Sequence, residues 1–132
     1  MTPELDRPEV LADVHAAFAR YEDALVHNRV DVLDALFWHA PTVVRYGAAE
    51  NLVGIEAIRD FRASRPSAGL ARTLHRTVIH TFGTDTATAM TEFRRDGSTG
   101  VGRQSQTWVR FADGWKIVAA HVSVIADGPA AR

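Results

Sequence analysis

Apolar residues recur at three- and four-residue spacing from Pro8 to about Asn28, at Val10, Val14, Ala17, Phe18, Tyr21 and Leu25. That spacing predicts an amphipathic helix with one buried stripe. Tyr21 lies on the stripe, in line with Val14, Phe18 and Leu25. Asp6 stands where a cap belongs, and Pro8 and Glu9 suit a first turn. A tyrosine on such a stripe is either core filler or a phenol whose hydroxyl meets a polar cavity. After a break at Asn28-Arg29, Asp31 caps a second short helix, Val32 to about Trp38, with Leu33, Leu36 and Phe37 inward. Pro41 ends it. Thr42 to Tyr46 then reads as a strand, closed by Gly47. Val43 and Arg45 share one face of it, and Val44 and Tyr46 the other. An interior Arg45 is either paired to a protein carboxylate, with Glu50 close by, or waiting for an anion.

Asn51 to Gly54 reads as a short strand or turn. A third helix follows from Ile55 to about Ser64, with Ile55, Ile58 and Phe61 as its apolar stripe and Pro66 beyond its end. Arg59, Arg62 and Arg65 recur every third residue there, which predicts a solvated edge. The rest of the chain alternates as strands: Ala71 to Phe82, Thr86 to Arg95, Gly100 to Phe111, and a return strand after the Asp113-Gly114 turn. Loops of a few residues make these neighbours antiparallel. On the return strand Trp115, Ile117, Ala119, His121 and Ser123 share one parity, and Lys116, Val118, Ala120, Val122 and Val124 the other. Neither parity shows the regular polar positions of a solvated face, so both faces are expected to be covered. The face with His121 and Ser123 is expected to line a cavity, and the valine face to meet another layer or subunit. Ser105 and Gln106 have opposite parity, so both cannot face one cavity without a bulge.

Helices first and a meander of long strands afterwards predict an α+β fold, with the N-terminal helices in the concavity of a curved, mainly antiparallel sheet. Such a cone would bring Tyr21, Arg45 and His121 together. One domain spans residues 8–125, between a loose N-terminus (1–7) and a C-terminal tail (126–132).

Composition changes this picture little. The 132 residues are 46% hydrophobic and 23% charged with a formal net charge of -1, so no nucleic-acid or membrane partner is expected. Cysteine is absent, which excludes thiol catalysis, disulfides and Cys-based metal sites. The N-terminus has no apolar run like that of a signal peptide, and a cytoplasmic location is expected. Histidines 15, 27, 39, 75, 80 and 121 form no HxH or HxxxH pair, so no metal is expected. No GxSxG elbow or phosphate loop occurs, and no cofactor is implied. Fourteen basic residues are Arg and one is Lys116; codon bias accounts for the excess, though Arg is the better fork for carboxylates.

The segments FARYEDAL, LFW, VVRYGAAENLVG, AIRDFR and GRQSQTWVRFADGWKIVAAHVS together resemble the NTF2-like (SnoaL-like) superfamily, and within it the AtzH-like branch that includes the HpxZ oxalurate-catabolism proteins. The resemblance runs from about residue 8 to 125. RYGxxE (Arg45 to Glu50), SQTW (Ser105 to Trp108) and AHVS (Ala120 to Ser123) are its more specific parts. It implies nitrogen catabolism beside an amidase partner, by hydrolysis of a carboxylated urea such as 1,3-dicarboxyurea to allophanate. Its functional Tyr and Arg fall on Tyr21 and Arg45. It also implies a homodimer through the outer sheet face.

On this reading an enclosed cone holds a small anionic urea- or carbamate-like ligand. Arg45 binds a carboxylate through its fork. Tyr21 donates to, or exchanges a proton with, the carbonyl or leaving nitrogen. His121 is a further acid or base candidate, although a strand histidine satisfied by a backbone neighbour is the commoner case. Tyr46, Glu50, Ser105, Gln106, Trp108 and Ser123 complete the candidate pocket. Two other classes compete. A non-catalytic module, binding a small acid or docking on an amidase, would keep Arg45 paired to Glu50. An isomerase or cyclase of the ketosteroid-isomerase kind would need an inward carboxylate, for which Glu92 is the strand-borne candidate, in a large apolar cavity. A cavity rich in Arg would favour the hydrolase.

Overall fold

The computed structural model describes residues 2–126. Its elements run α1 (Pro8–Val26), α2 (Val30–Ala35), β1 (Val44–Tyr46), β2 (Asn51–Val53), α3 (Ile55–Ser64), β3 (Arg72–Phe82), β4 (Thr86–Arg95), β5 (Val101–Phe111) and β6 (Gly114–Ile125). The stripe read from the sequence is the buried face of α1: Val10, Val14, Ala17, Phe18, Tyr21, Ala24 and Leu25. Full burial of each large apolar side chain contributes about 1.5–3 kcal/mol, so this face holds α1 in place. The face packs with Ile79, Ala87, Ala89, Trp108, Ile117 and Ala120 of the sheet into one core. Among the described residues no helix is long and apolar enough to cross a membrane.

The six strands form one sheet in the order β2-β1-β6-β5-β4-β3. All pairs are antiparallel except β1 with β6, where Arg45 lies opposite Ala120 and Tyr46 opposite His121. The β3–β4–β5–β6 meander is thus the one expected, but the first strand joins it beside the last. Register shifts at Leu74/Arg76 and at Thr107/Trp108 mark bulges, which bend strands and increase twist. They help the sheet wrap α1. Gly54 caps the start of α3; its φ of 92° lies in the left-handed region, and an added Cβ would sit 3.1 Å from the Pro41 carbonyl oxygen.

Three local expectations need correction. Asp6 does not cap α1. Arg7 holds the N-cap position, and Asp6 accepts a hydrogen bond from the Thr81 backbone N–H at 2.8 Å and contacts His80 Nδ1 at 2.8 Å. The N-terminal segment is therefore not loose throughout, because Leu5 bridges to Phe82 and the Glu4 carbonyl accepts from Gly83. Asp31 sits in the first turn of α2, one residue past its first, with Arg29 at the cap position. The tail assigned to 126–132 lies outside the described residues after Ala126.

Candidate functional site

Each site residue is placed by the parity of its strand, and parity on β6 is where the sequence misleads. Ile117 pairs with Trp108 and is fully buried. The bulge at Val118 then inserts one extra residue, so Ala119 pairs with Thr107 and Ala120 with the buried Gln106. Parity flips beyond it. His121 and Ser123 pair with Ser105 and Arg103 on the outer face; Val122 and Val124 pair with Gln104 and Gly102 on the inner one. His121 is exposed and meets Tyr46 edge to face at 5.7 Å. Tyr46, Ser105, His121 and Ser123 therefore leave the candidate pocket, and Val122 and Val124 leave the candidate dimer face. Glu92 pairs with Arg103 on the outer face and lies 3.7 Å from Arg76. The inward carboxylate that an isomerase would need is not Glu92.

The inner face keeps Tyr21, Arg45, Glu50, Gln106 and Trp108. Tyr21 is 2% exposed and packs on Phe37 with centroids 6.4 Å apart. Arg45 is buried; its Nη1 donates to Glu50 Oε2 at 2.8 Å, and its guanidinium carbon stands 5.4 Å from the centre of the Phe61 ring. Gln106 and Trp108 are buried, with Trp108 Nε1 donating to Gln106 Oε1 at 3.1 Å. That bond leaves Gln106 Nε2 buried without a partner.

The sequence reading missed four arginines that join this set. Arg62 is not at a solvated edge but 2% exposed. Its guanidinium lies 4.4 Å over Phe37, with Nη1 donating to Asp34 Oδ1 at 3.1 Å. Arg65 is half-buried beside Phe61. Arg72 donates to both carboxylate oxygens of Glu22 and, at 3.1 Å, to Gln104 Oε1. Arg95 donates to the Gly69 carbonyl at 2.8 Å and shares the Phe93 ring with Arg72. A signal for Arg62 was available: it follows Ile58 by four residues and Ile55 by seven, and so continues the apolar stripe. Arg65 stands seven past Ile58. Only Arg59 of the three keeps the exposed position predicted for them.

Burial pushes the Arg62 guanidinium below its usual pKa, and Arg45 adds to that, while Tyr21 and Asp34 oppose it. Burial likewise lowers Arg65, helped by Arg62 and Arg45. Arg95 is lowered by burial, then by Arg72 and Arg45. Tyr21 acts in the opposite sense on all three. Tyr21 and Arg45 thus share one electrostatic neighbourhood, the inner end of the cone. It is a site short of negative charge, suited to an anion. Among the described residues, no group of three or more His, Asp and Glu side chains could hold a metal ion.

The AtzH-like family profile matches residues 3–128. A protein of unknown function from Pectobacterium atrosepticum is 62% identical, with a TM-score of 0.91 over 92% of this chain and 95% of that one. A cystatin-like fold protein from Burkholderia xenovorans is 55% identical, with a TM-score of 0.90 over 94% and 98%. An NTF2-like superfamily protein from Salmonella enterica is 22% identical, with a TM-score of 0.73 over 89% and 92%, a likeness of fold alone. No curated protein matches the chain.

Proposed function

The chain belongs to the AtzH-like family of the NTF2-like superfamily, and from that premise we propose that it hydrolyses a carboxylated urea, of the 1,3-dicarboxyurea-to-allophanate type, in nitrogen catabolism. The observation that carries the reading is the burial of Tyr21 against Phe37, the ring on which Arg62 stacks, beside a cluster of inward arginines. An arginine-rich cone is what a carboxylated urea needs, and the outward Glu92 leaves a ketosteroid-isomerase-like site without its base.

In this reaction one N–carboxyl bond breaks. Its electron pair stays on nitrogen, which gains a proton, and the carboxyl group leaves as carbon dioxide and hydrates. Dicarboxyurea and water thus give allophanate and bicarbonate with charge conserved. Arg45 holds a carboxylate by its fork, and Tyr21 delivers the proton to the leaving nitrogen. Such ureas also lose carbon dioxide unaided, so positioned proton transfer, worth about 10²–10⁴-fold, is a sufficient contribution.

A non-catalytic acid-binding or amidase-docking module is the second reading, favoured by the Arg45–Glu50 bond at 2.8 Å. In either case we infer a homodimer through the outer sheet face, where Tyr46, Val53, Val78, Phe82 and Met90 are exposed. Isolated exposed apolar residues are ordinary, but several on one sheet face suit an interface.

The test supplies fresh 1,3-dicarboxyurea to wild type, Tyr21→Phe and Arg45→Ala. Allophanate is coupled to ammonia release and carbon dioxide is followed in parallel. Wild type is expected to exceed the spontaneous rate, and both variants to fall at least about a hundredfold while remaining folded. A wild-type rate equal to the spontaneous one overturns the hydrolase reading and leaves the binding module.

A further inference from the structure

We propose that Arg62 and Arg65 of α3 form a second anion subsite in the cone, which takes the far carboxylate of a dicarboxylated ligand while Arg45 takes the near one. The evidence is which atoms are left over. The Arg62 side chain is 1% exposed, and Nη1 is bonded to Asp34; Nε and Nη2 are buried with no partner. Arg65 leaves the same two atoms, Nε and Nη2, buried and unpartnered. Nε and Nη2 form one edge of the guanidinium fork, the edge whose parallel N–H bonds match the two oxygens of a carboxylate. Native proteins seldom bury donors unsatisfied, and here four of them occur as two complete edges.

Their surroundings hold these edges in place. Arg62 is stacked on Phe37, the ring that also packs against Tyr21. Arg65 and Arg45 lie against the same Phe61 ring, at 5.9 and 5.4 Å. Both α3 arginines interact electrostatically with Arg45 and Tyr21. The subsite is therefore adjacent to the proposed reaction centre.

Charge gives a second argument. The cluster of Arg45, Arg62, Arg65, Arg72 and Arg95 is paired by Glu50, Asp34 and Glu22. Five positive groups face three negative ones, and one of those, Asp34, is shared with the exposed Arg59 at 3.9 Å, so the positive excess is at least two and is more than a monoanion balances. The proposal takes its ligand shape from the carboxylated-urea reading, but the subsite itself requires only a dianion.

Glutarate has the five-atom backbone of dicarboxyurea and cannot be hydrolysed. Glutaramate is the same molecule with one carboxylate replaced by an amide. Calorimetric titration of both into wild type, Arg62→Gln, Arg65→Gln and the exposed outer-face control Arg103→Gln tests the subsite. Circular dichroism verifies folding, and Arg65, being half-buried, provides a variant that folds even where Arg62→Gln does not. Wild type and Arg103→Gln are expected to prefer glutarate at least tenfold, and Arg65→Gln to lose that preference. Equal affinity for the two ligands, absence of glutarate binding at millimolar concentration, or an undiminished preference in Arg65→Gln overturns the proposal. Glutarate preference without dicarboxyurea hydrolysis would retain the subsite and remove the hydrolase. Hydrolysis with an unchanged KM in Arg65→Gln would do the reverse.

Discussion

Gly102→Ala tests how the sheet supports the arginine cluster. A Cβ built on Gly102 would lie 2.2, 2.3 and 2.6 Å from three carbons of the Phe93 ring. Carbon atoms prefer about 3.5–4.0 Å, so the ring must retreat by more than about 1 Å. It has little room, because Phe93 is 2% exposed and carries the Arg72 guanidinium at 4.2 Å and that of Arg95 at 5.7 Å. Overpacking of this kind costs about 1–3 kcal/mol. Removing a glycine returns about 0.4–1 kcal/mol through the unfolded chain. The difference centres on a net loss of about 1.3 kcal/mol, which lowers Tm by about 5 °C at this chain length. Scanning calorimetry on Gly102→Ala, Phe93→Leu and the double variant measures it. The smaller leucine should accept the new methyl, making the double variant more stable than additivity predicts by about 0.5–2 kcal/mol. A Gly102→Ala protein as stable as wild type, or strict additivity, would refute the placement of the ring.

Two further outcomes follow from other parts of the fold. The Thr81 backbone N–H, and after it His80, hold the Asp6 carboxyl below its ordinary value of 3.8. A depressed folded pKa gives stability that is present above the unfolded value and lost as pH falls through the folded one. Thermal melts of wild type and Asp6→Asn should therefore differ at neutral pH and converge below about pH 4; a constant gap across that range contradicts the pairing. On the outer face Val78 and Met90 are directly opposed and exposed. Met90→Glu should halve the mass seen by light scattering while leaving the circular dichroism spectrum unchanged, and a wild type that is already monomeric would dismiss the outer-face dimer.

Much of the fold was legible because it rests on periodicity. The stripe of α1, the bounds of α3 and the β3–β4–β5–β6 meander all follow from spacing and turn residues. Parity on the last strand was not legible, because a bulge at Val118 leaves no mark in alternation. Counting by twos from the buried Ile117 puts His121 inside, whereas the pairing puts it outside. The α3 arginines were lost for a different reason. A charged residue on an apolar stripe is read as an edge, although a partner such as Asp34, far off in sequence, can take it inside.

That partner also changes how Arg45 should be judged. From the sequence, an Arg45 bound to Glu50 was the mark of a module without catalysis, and the bond is present. A guanidinium has five donors, however, and the question is which of them the protein uses. Arg72 gives its Nε and Nη2 edge to Glu22 and a further bond to Gln104, so it is a structural brace. Arg45 gives Nη1 alone to Glu50, as Arg62 gives Nη1 alone to Asp34. A single carboxylate contact at that corner aims the cation without occupying the side of the fork that a ligand carboxylate would take. Pairing with Glu50 and binding an anion are therefore compatible, and Glu50 becomes a group that orients Arg45 rather than one that silences it.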